Sequence, residues 1–162
     1  MEKILFEEEQ RMRQWWIIAI PILLIGIFAY GIFQQEVMGI PFGNQPAPSW
    51  GIALFMFIPI GLLWFFWSLK LTTKITNEMI IIDFGILGKK QIKLLDIKTA
   101  AVVTYSPLKD YGGWGLRVGT NGTAYNVAGK TGLQIDLKKG KRIMIGTQKG
   151  EILKPIVEKL LP

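Results

Sequence analysis

The sequence predicts a membrane-spanning α-helical hairpin followed by a mostly β domain of the α+β class. In that domain an antiparallel β-barrel or sandwich is closed by a C-terminal helix. Three observations carry this prediction. Trp15 to Phe33 runs 19 residues without a charge, and Trp50 to Leu69 runs 20 with Ser68 as its only hydroxyl. From Leu71 onward the apolar period changes to two, broken at short intervals by Gly and Asn. Near the end, Ile152, Leu153, Ile156, Val157, Leu160 and Leu161 recur in pairs four apart, which lays an apolar stripe along one helix.

Composition narrows the chemistry before any motif is sought. Half of the 162 residues are hydrophobic and 19% are charged, against about 25% in an ordinary soluble domain. There is no Cys and no His, which excludes disulfides, thiol nucleophiles, imidazole bases and the usual nitrogen and sulfur ligands of zinc. Carboxylates and carbonyls remain as the only means of holding a cation. No cofactor and no metal is expected.

The N-terminal segment, 1–14, carries Lys3, Arg11 and Arg13 beside the run Glu7-Glu8-Glu9. The first apolar block, 15–33, covers about 28 Å as a helix, close to the thickness of a hydrocarbon core. Ala29-Tyr30-Gly31 offers a small-residue site for signal-peptide cleavage, but the stretch is long and the three glutamates spoil a basic leader. The connecting segment, 34–49, contains no Lys or Arg, whereas Lys70 and Lys74 follow the second block, 50–69. Basic residues are retained on the cytoplasmic side, so both termini are expected there and 34–49 outside, in an inner (plasma) membrane.

Trp15, Trp16, Trp50, Trp64 and Trp67 lie near the span ends, where an indole keeps its ring in lipid and its N–H among headgroups; they are expected as interface anchors. Pro21 and Pro59 fall inside the spans and predict local kinks. Neither block holds an ionisable residue at membrane depth, the usual mark of a pore or carrier.

Within 71–162 short strands are expected at 72–76, 79–84, 89–94, 97–105, 114–118 and 123–127, with Thr120-Asn121-Gly122 as a turn. Leu133, Ile135 and Leu137 alternate with polar residues, and Ile143 and Ile145 resume the same face beyond Lys139-Gly140, which makes a hairpin. Thr147 is a candidate cap for the terminal helix, and Pro155 predicts either an irregular first turn or a helix start near Lys154.

This strand order with a closing helix, the segment TTKITNEMIIIDFGILGKKQIKLLDI and the terminal IGTQ resemble bacterial PH-like domains attached to membrane spans. With FEEEQRMRQWW, PFGNQPAPSWG, YGGWG and AYNVAG, most of the chain is similar to an uncharacterised family of two-span bacterial membrane proteins. The resemblance implies a PH-like fold and brings no catalytic residue. Gly150-Glu151 departs from the pattern, where a proline is expected before the acid.

Residues 70–162 hold 16 Lys and Arg against 7 Asp and Glu, so the domain is a candidate for contact with an anionic bilayer. Lys138, Lys139, Lys141 and Arg142 cluster at one hairpin tip, and Lys89, Lys90 and Lys93 at another; they are the candidate lipid-headgroup residues. The chain lacks the sequence patterns of nucleic-acid readers, and no nucleic-acid partner is expected. Tyr111-Gly112-Gly113-Trp114-Gly115 sets two aromatics among three glycines, and Arg117, Tyr125, Asn126 and Lys130 follow. These six side chains are the candidate ligand- or partner-binding set, their convergence depending on strand register.

VGTNGTAYNVAGKTG lacks the spacing of a nucleotide loop. Asp83, Asp96, Asp110, Asp136, Glu151 and Glu158 stand at no spacing that pairs an acid with a base, and no catalytic residue is assigned. The expected role is a protein-binding or assembly module displayed at the membrane, with lipid headgroups as the alternative ligand and a carboxylate-dependent envelope enzyme as the remote one. A homo-oligomer remains open.

Overall fold

The computed structural model describes residues 3–160. The chain divides into two compact units, one built from residues up to Met12 together with those from Leu69 onward, the other from Arg13–Ser68.

The second unit is a pair of packed helices, α1 (Trp15–Glu36) and α2 (Ser49–Ser68), both long and apolar enough to cross a membrane. Each runs slightly beyond or before the predicted limits, so the connecting segment shortens to 37–48. Both helices are apolar on every side, and large side chains such as Leu23 and Phe57 are 64% and 69% exposed, which a soluble core would not leave uncovered. Pro21 and Pro59 lie inside the continuous helices and are buried. The connection folds back on α1: Gln35 Nε2 donates to the Ala47 carbonyl at 2.9 Å, and the Phe42 ring sits where a side chain at Gly31 would stand.

The first unit is a two-sheet, sandwich-like structure. β1 (Ile4–Arg11), β2 (Lys70–Thr76), β3 (Met79–Asp83) and β4 (Lys89–Lys93) form one sheet in that order. β5 (Ile97–Thr104), β6 (Gly115–Gly119), β7 (Gly122–Asn126), β8 (Thr131–Leu137) and β9 (Arg142–Gly146) form the second, ordered β5-β8-β9-β7-β6. Among the described residues no ladder joins the sheets into a closed barrel, and the second sheet is mixed, because β7 runs parallel to β9. The first point removes the barrel alternative and leaves the sandwich, and the second corrects the expected all-antiparallel pairing.

The β6–β7 hairpin lies beside β9 rather than extending the meander, and Gly122 makes that approach possible. A Cβ there would stand 2.3 Å from the Arg142 carbonyl oxygen, and its φ of 103° already favours glycine.

The strand periods read from the sequence are sound to within two residues at their ends. Leu71, Ile75, Ile80, Ile82 and Ile92 line the buried face of the first sheet, and Leu133, Ile135, Ile143 and Ile145 that of the second. α3 (Pro107–Tyr111) is a single turn between β5 and β6. α4 (Gly150–Leu160) begins four residues before Lys154, the later of the two expected arrangements, and contributes Leu153 and Val157 to the core; Leu161 of the predicted stripe lies outside the described residues. Pro155 is tolerated inside α4, where it forfeits only the bond to the Glu151 carbonyl. Gly150 permits close packing at the helix start, since a Cβ would meet Thr131 Cγ2 at 2.8 Å.

The largest departure from expectation is β1. The segment before α1, predicted as a separate tail, pairs antiparallel with β2 from Ile4 opposite Thr76 to Arg11 opposite Lys70. The β domain therefore does not begin at 71. Its first strand precedes the helical pair and the rest follows it.

Candidate functional site

The inward face of β1 presents Phe6, Glu8 and Gln10, and Met12 continues it just past the strand; all four are buried. Glu8 is 2% exposed, and its carboxylate reaches the start of α4: Thr147 Oγ1 donates to Oε2 at 2.6 Å and the Gln148 N–H to Oε1 at 2.8 Å. Thr147 Oγ1 in turn accepts the Lys149 N–H at 3.0 Å. Gln10 Nε2 donates to the Gly146 carbonyl at 2.7 Å. The IGTQ segment is thus the receptor for β1. Thr147 does not simply cap the helix; it relays the N-terminal backbone onto a carboxylate whose negative charge suits that end of the helix dipole.

Beside this junction lies a groove of about 610 Å³ between β5, the start of β8 and the first turns of α4. Val102 and Ile152 give it an apolar side, and the exposed Lys130, Lys149 and Lys154 a cationic one, with Glu151 also in its wall. Of the predicted binding set, only Lys130 lines this groove.

The other members of that set are tied into the domain. Asn126 is fully buried; its Oδ1 accepts the Gly115 N–H at 2.9 Å and its Nδ2 donates to Tyr105 Oη at 2.9 Å. The Tyr111 ring stands edge-on to Tyr105 with centroids 5.9 Å apart, and its hydroxyl donates to the Asn121 carbonyl at 3.4 Å. Burial pushes the Tyr105 and Tyr111 phenols up from their ordinary pKa. Trp114 Nε1 donates to the Gly129 carbonyl at 3.3 Å, and Arg117 Nε to the Trp114 carbonyl at 3.1 Å. These bonds hold the glycine loop between α3 and β6. Tyr125 is paired with Leu116 and Ile145 on neighbouring strands, and burial raises its pKa as well. Register therefore sends Tyr125 and Asn126, adjacent in sequence, to opposite faces of the sheet.

The basic tips also separate. Lys138, Lys139 and Lys141 are exposed around the β8–β9 turn. Arg142 instead holds Asp136 through Nε at 2.6 Å and a second bond from its Nη2 at 3.2 Å, which keeps the carboxyl below its usual pKa. Lys141 and Arg142 line a second groove, about 540 Å³, with the β6–β7 turn. Lys89 and Lys93 are exposed and Lys90 half-buried on β4. Lys89 shares the outer face of the first sheet with Lys74–Glu7 and Lys70–Glu9 ion pairs at 2.8 and 2.7 Å, so that face carries both signs of charge. Hydrogen bonds from Lys70 and Arg11 hold Glu9 below its ordinary pKa.

In the helical unit, Trp15 and Trp16 open α1, Trp50 opens α2, and Trp64 and Trp67 lie in its last two turns; all are exposed. The Arg13 guanidinium sits over the Trp67 ring, 5.2 Å from its centroid.

Sequence reasoning missed Glu8, Gln10, Val102, Lys149 and Lys154. The alternation Phe6, Glu8, Gln10, Met12 was the available signal for β1, obscured by three consecutive glutamates that break the apolar–polar period. Comparison with known proteins adds no constraint: no family model and no curated protein matches the chain.

Proposed function

We propose that this protein is a two-span protein of the inner (plasma) membrane that holds a PH-like domain at the cytoplasmic face as a protein-binding or assembly module. The single observation carrying the topology is the β1–β2 ladder. β1 ends at Arg11, four residues before α1, and β2 begins at Lys70, two residues after α2. Strands that pair along their length occupy one compartment, so both outer ends of the helical pair face the same side. Lys3, Arg11, Arg13, Lys70 and Lys74 cluster at those ends and the connection 37–48 has no basic residue, which supports the cytoplasm as that side. The two sheets with a terminal helix support the PH-like resemblance.

A binding role is supported by the condition of the charged groups. Glu8, Glu9 and Asp136 are engaged in holding the fold, whereas the groove beside α4 keeps exposed lysines against an apolar wall. Because the chain has no cysteine, single replacements give a clean topology test. Asn44→Cys is expected to react with a membrane-impermeant maleimide on intact spheroplasts, and Lys139→Cys only after permeabilisation. Labelling of Lys139→Cys from outside overturns the topology. A benzophenone residue at Gln91 or Ala101 in native membranes is expected to give adducts with protein, and adducts with lipid alone overturn the binding role.

A further inference from the structure

We infer that the free edge of β5, together with the groove beside α4, takes up an extended, acidic segment of a partner protein as an additional strand. This rests on the protein-binding role proposed above and names the surface and its ligand.

Among the described residues β5 is an end strand, hydrogen-bonded to β8 on one side only. An unpaired edge is a row of backbone donors and acceptors ready for another strand, and proteins usually blunt it with charge, proline, bulges or shortness. The other edges show such protection. β4 carries Lys89, Lys90 and Lys93 within five residues, β6 has five residues with glycine at each end, and β1 has an irregularity between Ile4 and Phe6 and bears Glu7, Glu9 and Arg11. β5 is eight residues long, and although it has an irregularity of its own between Ile97 and Thr99, the six residues Thr99 to Thr104 beyond it, TAAVVT, pair in regular register with β8 and contain no charge, proline or glycine.

The surroundings select the ligand. Val102 and Ile152, the latter 58% exposed, offer apolar contact beside the edge. Lys130, Lys149 and Lys154 contribute three positive charges to the groove against one negative charge from Glu151, and Lys98 adds another on β5 itself. A strand carrying alternate apolar and carboxylate side chains satisfies backbone, apolar wall and cations together. A second copy of this chain is disfavoured, since its own β5 carries no acid and the whole chain has a net charge of +7.

The test uses the full chain in nanodiscs of neutral phosphatidylcholine and a fluorescent decapeptide alternating Glu and Val. Controls are the same peptide with two central prolines and a Lys-for-Glu version. The Glu/Val peptide is expected to bind at least about tenfold more tightly than either control. Joint K130E, K149E and K154E replacement, all at exposed positions, is expected to weaken it about tenfold. Equal binding of the proline-bearing peptide overturns the strand-addition geometry, and indifference to the triple replacement overturns the groove as its seat. Self-association abolished by Ala101→Arg instead makes the edge a contact between copies. Binding confined to phosphatidylglycerol vesicles makes it a lipid surface. In native membranes, protein adducts from benzophenone at Gln91 but not at Ala101 reject the β5 edge and leave the binding role standing; none from either rejects both.

Discussion

Replacing Glu8 by Ala removes the acceptor of two hydrogen bonds that join β1 to the start of α4. Thr147 Oγ1 and the Gln148 N–H, now at 2.6 and 2.8 Å from the carboxylate, lose that partner in a site where Glu8 and Thr147 are 2% and 3% exposed. Stranding a buried donor such as the Thr147 hydroxyl costs about 1–3 kcal/mol, and the part-buried Gln148 N–H adds about 1–2 kcal/mol, so the pair is worth about 2–5 kcal/mol. Thr147 also ceases to be held for its second task, accepting the Lys149 N–H. Amide hydrogen exchange of the full chain in detergent, followed by mass spectrometry, reads this locally. At about 1.4 kcal/mol per tenfold, protection of peptides covering 142–160 is expected to fall by about thirty-fold to several-thousand-fold. Glu8→Gln keeps one acceptor and is expected to lose about half as much in free energy. Unchanged exchange over 142–160 in Glu8→Ala would refute the argument that this carboxylate clamps the terminal helix.

Gly122→Ala places a methyl group 2.3 Å from the Arg142 carbonyl at a φ of 103°. It is expected to cost more than about 2 kcal/mol, seen as a lower urea midpoint and as loss of protection in β7 and β9 together. Asp136 has its folded pKa depressed by the hydrogen bond from Arg142. The stabilisation from that pair is therefore complete above about pH 4 and is lost as pH falls through the folded value. Urea denaturation at a series of pH values is expected to show a shallower acid decline in Asp136→Asn than in the parent chain.

Much of the secondary structure was legible because burial on one face imposes a period, as in Leu133, Ile135, Ile143 and Ile145. The helical pair was legible because nothing charged interrupts it. What stayed hidden depends on contacts across long stretches of chain. Glu8 meets Thr147 and Gln148 across 139 and 140 positions, and no local pattern marks a glutamate as buried when its donors lie so far along the sequence. The parallel partnership of β7 and β9 was likewise a matter of which hairpin lies beside which. Asn126, Tyr111, Trp114 and Arg117, grouped by sequence, share one neighbourhood, where they bond to backbone groups and, from Asn126, to the Tyr105 hydroxyl. The groove lies instead where Lys130 meets residues of α4 that amphipathic spacing alone described as helix surface.

Because β1 is synthesised well over a hundred residues before its seat at Gly146–Gln148, it must wait through the synthesis of both apolar helices and of the eight strands β2 to β9. A chain that stops short of Gln148 keeps an unshielded carboxylate on what should be an interior face. Only synthesis through Gln148 can neutralise that liability, so closure of the sandwich waits on the junction between β9 and α4.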